Sequence, residues 1–61
     1  MNLAPRYIAS LHAVDEQLRN SIVAVEDVVA ELQRKGDDAT ALIELLGRLK
    51  GAKVVAERII R

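Results

Sequence analysis

The sequence predicts an all-α protein: an antiparallel two-helix hairpin that homodimerises into a four-helix bundle. Three observations carry that prediction. Apolar residues recur at helical spacing on both sides of a single interruption. The interruption, Arg34-Lys35-Gly36-Asp37-Asp38, has the chemistry of one helix ending and another beginning. And 61 residues with one Pro, three Gly and a lone aromatic, Tyr7, do not supply the turns of a β fold.

Helix one is expected over about 3–35. Asn2 is a candidate N-cap, and Pro5 sits in the first turn, where its missing N–H costs little. A heptad runs through Ala4, Leu11, Leu18, Val25 and Leu32, with Tyr7, Val14, Ser21 and Val28 as its second row. Ile8, Ile22 and Val29 flank them, and His12, Arg19, Asn20, Glu26, Asp27 and Gln33 make a solvated face. Ser21 is the one polar residue in these rows. It is expected either to bond back to its own helix or to mark a layer where helices approach closely.

The turn is expected at 36–37. Cations suit a helix C-terminus, anions suit an N-terminus, and Gly36 can take the left-handed conformation that ends a helix.

Helix two is expected over about 38–61, capped by Asp37 or Asp38. Its rows are Leu42, Leu49 and Ala56 with Leu45, Ala52 and Ile59; Leu46 and Ile60 lie beside them. The step down to Ala52 and Ala56 falls opposite the Gln17–Ser21 level of helix one, predicting a close-packed middle layer. Gly47 and Gly51 weaken the helix by roughly 0.8–1 kcal/mol each relative to Ala. They are read either as tolerated helix-weakeners or, with Ile43 and Val54, as a smooth second face where another backbone can approach. Folding about Gly36 is expected to bring Asp15 and Glu16 near Arg58, and Glu26 and Asp27 near Arg48.

Each helix carries an apolar stripe wider than one neighbour covers, and so small a chain has a marginal core. A two-fold dimer is the expected remedy. The dimer and core residues are then Leu11, Val14, Leu18, Ser21, Ile22, Val25, Val28, Leu32, Leu42, Leu45, Leu49, Ala52, Ala56 and Ile59. The longer first helix projects past the second and exposes Leu3, Tyr7 and Ile8. These, with Ile43, Gly47, Gly51 and Val54, are the candidate contacts for another protein, and Tyr7 is the candidate anchor.

Nine acids balance nine bases, which argues against a dedicated binder of nucleic acid or of an anionic membrane. No apolar run approaches the roughly 20 residues of a membrane span. No leader with a charged start and apolar middle is visible, so a cytoplasmic location is expected. There is no Cys, no phosphate-binding glycine loop and no Ser-His-acid arrangement, so no enzyme, cofactor or metal is expected. His12, Asp15 and Glu16 share helical spacing but are too few to build a metal site.

In shape and length the chain resembles Rop-type proteins, small RNA-binding hairpins that dimerise into four-helix bundles. That resemblance implies an RNA-binding dimer as the alternative function. The size is also similar to that of phage or plasmid accessory proteins that act on host regulators, and to secretion co-chaperones or assembly subunits built as helical hairpins. The expected function is a non-enzymatic protein-binding module: a regulator, inhibitor or adaptor.

Overall fold

The computed structural model describes residues 2–61. They form two helices, α1 (Pro5–Lys35) and α2 (Thr40–Ile60), packed against each other as a hairpin with Cα extents of 47 × 15 × 13 Å. Among the described residues no helix is long and apolar enough to cross a membrane.

The turn closes as its sequence requires. Gly36 has φ 79° and ψ 15°, its N–H donates to the Gln33 carbonyl, and the Asp37 N–H donates to that of Leu32 at 2.8 Å. These are the paired bonds of a Schellman motif, which satisfies the last carbonyls of α1. The turn is longer than the expected 36–37, because α2 starts at Thr40 rather than Asp38. Asp38 stays outside the helix: its Oδ1 accepts from the Thr40 N–H at 2.9 Å and from the Thr40 hydroxyl at 2.6 Å. A carboxylate bonding two residues ahead holds the chain in a turn and supplies one of the donors' missing partners. The helix ends at Ile60, so 38–61 shortens to 40–60. At the other end α1 starts at Pro5, after Ala4, and no side chain caps it. Asn2 is therefore not the cap that the sequence suggests.

The seam between the helices differs from the expected one by a single residue. On α1 the shielded positions are Ile8, Leu11, Asp15, Leu18, Ile22, Val25, Val29 and Leu32, which alternate three- and four-residue steps, with Glu31 also partly shielded. Ala39 just before α2, and Leu42, Leu46, Leu49, Lys53, Ala56 and Ile60 on it, follow the same alternation, with Glu57 also partly shielded. Those are the steps of a coiled-coil seam. Leu11, Leu18, Val25, Leu32, Leu42, Leu49 and Ala56 lie in this seam. Their expected companions Val14, Ser21, Val28, Leu45, Ala52 and Ile59 are exposed. The flanking row Ile8–Ile22–Val29 takes their place. Ser21 is exposed in the single chain, and no bond from its hydroxyl is found among the described residues.

The Asp15–Lys53 pair lies in this seam, with Asp15 one level farther from the turn than Lys53. Lys53 Nζ donates to Asp15 Oδ1 at 3.0 Å and to Glu57 Oε1 at 2.6 Å. The side chains of Lys53 and Asp15 keep only 19% and 16% exposure. A pattern read on apolar residues alone skips the row those two belong to. The pair also corrects two expected ion pairs. Asp15 meets Lys53 rather than Arg58, and Glu26 meets Lys50 at 3.5 Å while Arg48 turns to Glu44 at 3.1 Å.

Candidate protein-association surface

Counting heptads outward from the turn sets Leu32 level with Ala39, Val25 with Leu46, Leu18 with Lys53 and Leu11 with Ile60. Antiparallel neighbours related by a local two-fold carry equivalent wheel positions on the same side of the pair. Tyr7, Val14, Ser21 and Val28 each stand beside the Ile8–Asp15–Ile22–Val29 row, one residue earlier. Leu45, Ala52 and Ile59 each precede Leu46, Lys53 and Ile60 in the same way. The two sets therefore form one flank of the hairpin. The opposite flank holds the residues that follow a seam position, such as Glu26 and Lys50, and the bridge between those two crosses it.

The flanks differ in chemistry. Arg19, Glu26, Lys50 and Glu57 make the second one charged. The first has no charged residue between Tyr7 and Val28 or between Leu45 and Ile59 in its two rows, and its large members stand open: Tyr7 is 50% exposed, Val28 48% and Val14 43%. The core beneath is thin. Among the described residues only Val29, Ala39 and Ala56 are buried hydrophobics, and no side chain is fully enclosed. An open apolar strip running most of the length of so small a molecule is the usual mark of an association surface.

The other candidate contacts fall elsewhere. Leu3 and Ile8 are half-shielded, and Ile8 belongs to the seam. Ile43 and Val54 are exposed, at 47% and 54%; Ile43, which follows Leu42, edges the charged flank, and Gly47, Gly51 and Val54 continue from it onto the outer side of α2. A methyl group added at either glycine would meet nothing within 4 Å, so neither is required by packing in the single chain. Tyr7 projects with Arg6: the guanidinium lies 4.8 Å from the ring centroid and donates to the phenol oxygen at 3.0 Å. The structure thus splits the predicted contacts between the overhang, the apolar flank and the back of α2.

The basic residues of α2 are mostly engaged: Arg48 with Glu44, Lys50 with Glu26, and Lys53 with Asp15 and Glu57. Arg58 and Arg61 edge a shallow recess of about 330 Å³ with Val55 and Ile59, which holds no nucleophile or acid–base pair. No group of three His, Cys, Asp or Glu side chains is placed to hold a metal ion among the described residues. Comparison with protein-family models, with curated proteins and with solved structures finds no match.

Proposed function

We propose that the protein is a small, non-enzymatic protein-binding module that homodimerises into a four-helix bundle and acts on another protein as a regulator, inhibitor or adaptor. The apolar flank carries this reading. A hairpin covers each helix on one side only, and a second hairpin laid on the flank gives every helix a second packed side. Closed two-fold pairs are the commonest way for one chain to supply that surface to itself. The outer stripe of α2, Ile43 and Val54 with the smooth Gly47–Gly51 stretch between them, then remains available to a helix of another protein.

Sedimentation across the micromolar range tests the first step. The chain is expected to run as a dimer, and Val28→Glu or Leu45→Glu is expected to give a helical monomer. A wild-type chain that is both helical and monomeric would remove the bundle. For the second step, Ile43→Glu and Val54→Glu should leave the dimer intact and abolish capture of the partner protein. Capture through apolar contacts should also change little with salt, whereas RNA held through phosphates would dissociate steeply. The pairing of Lys50 and Lys53 with acids favours the protein reading over the RNA one.

A further inference from the structure

The apolar flank has an order along its length that restricts how a second copy can lie on it. Val28 comes level with Leu45, Ser21 with Ala52 and Val14 with Ile59, so large residues stand on either side of one small level. Ser21 lies midway between Tyr7 and Lys35, near the centre of the 31-residue α1. We infer that the flank is occupied by a second copy running end-for-end, with the two-fold axis crossing the Ser21–Ala52 level. This rests on the flank being the association surface proposed above.

Charge along the hairpin sets the direction. Cut at the middle of the seam, the turn half (residues 24–47) holds six acids against two bases, a net charge of −4. The other half holds seven bases against three acids, a net charge of +4. Laid in the same direction, two copies stack like on like over their whole length. Laid end-for-end, each half faces its opposite, which both attracts and selects the register. The ends repeat the argument locally. Among the described residues Arg6 has no acidic partner, and Asp37 and Asp38 have no basic one. Turning the second copy end-for-end brings Arg6 level with that copy's turn.

Length and area agree. The α1 overhang, with Tyr7, has no α2 beside it, but in this arrangement it reaches along the full length of the second copy to its turn. A face of 47 × 15 Å has a projected area of about 700 Å², close to the roughly 800 Å² per partner that stable interfaces bury. The small Ser21–Ala52 level lies where the two copies cross and lets their backbones approach.

Spin labels on single cysteines test the direction, since the chain has no cysteine of its own. Asn20→Cys and Arg34→Cys are both exposed on the side of α1 away from α2. End-for-end pairing places the two Arg34 labels roughly 39 Å apart along the axis and the two Asn20 labels roughly 3 Å apart. A long Arg34 distance with a much shorter Asn20 distance is the expected result. Similar distances at the two positions in a sedimenting dimer would overturn the arrangement and leave the association standing. No dipolar coupling at either position, with monomeric sedimentation, would overturn the association itself.

Discussion

Gly36 fixes the hairpin through one backbone angle. At φ 79° an L side chain crowds its own carbonyl, so Gly36→Ala is expected to cost about 1–2 kcal/mol, read as a lower urea midpoint at unchanged slope. Two residues later, the Thr40 hydroxyl and then the Thr40 N–H hold the Asp38 carboxyl below its ordinary value. A depressed folded value means the contribution is present above about pH 4 and is lost as pH falls through that lower value. Asp38→Asn should therefore lower stability modestly at pH 7, change it little in strong acid, and so flatten the acid limb of the stability curve. Lys53 is the opposite case. Hydrogen bonds from its ammonium to Glu57 and to Asp15 raise its value, so its contribution is complete below about pH 10 and is lost as pH rises through the folded value. Lys53→Met should remove that alkaline loss. By itself it should also lower the melting temperature by several degrees, because Asp15 is left shielded without a cation. Asp15→Leu with Lys53→Leu should recover the lost stability, since apolar side chains at both positions leave no shielded charge to satisfy.

Between the turns, α2 carries a weakness that packing does not demand. Gly47 and Gly51 face open space, so Gly47→Ala and Gly51→Ala should each stabilise the helix by roughly 0.8–1 kcal/mol, read as a rise in melting temperature. Loss of partner capture in the same double variant would assign the smooth stripe to docking; unchanged capture would leave the glycines as helix-weakeners. The two helices and the turn were legible in the sequence because each depends on local chemistry: aliphatic spacing, Gly36, and acids after bases. The side of each helix that faces its neighbour was not. Val14, Ser21, Val28, Leu45, Ala52 and Ile59 are as apolar or small as any seam residue. The row that does face inward includes Asp15 and Lys53, 38 residues apart, which meet only once the chain is folded. A charged pair at a seam position looks like two surface residues until the chain is folded. Residues of the dimer and core set that stay outside the single-chain seam are the ones that make up the apolar flank.

Across the whole molecule, the opposed charge of the two halves predicts a dimer that responds to ions. Raising salt from about 0.05 to 0.5 M shortens the Debye length to a few ångströms and should weaken dimerisation, measured by sedimentation, without unfolding the helices. A flank held by apolar burial alone would show no such loss. The tight turn also has a kinetic consequence. Every contact across the seam closes a loop around Gly36, and the loop lengthens steadily with distance from it. The shortest loops cost the least entropy, so the hairpin is expected to zip from the turn outward, with the Asp15–Lys53 level among the last to form. Stopped-flow refolding should then show Gly36→Ala slowing the folding arm, and Asp15→Asn chiefly speeding the unfolding arm. The open end, where Tyr7 and Arg6 project, would be the part of the chain that frays first and the part that a second copy holds closed.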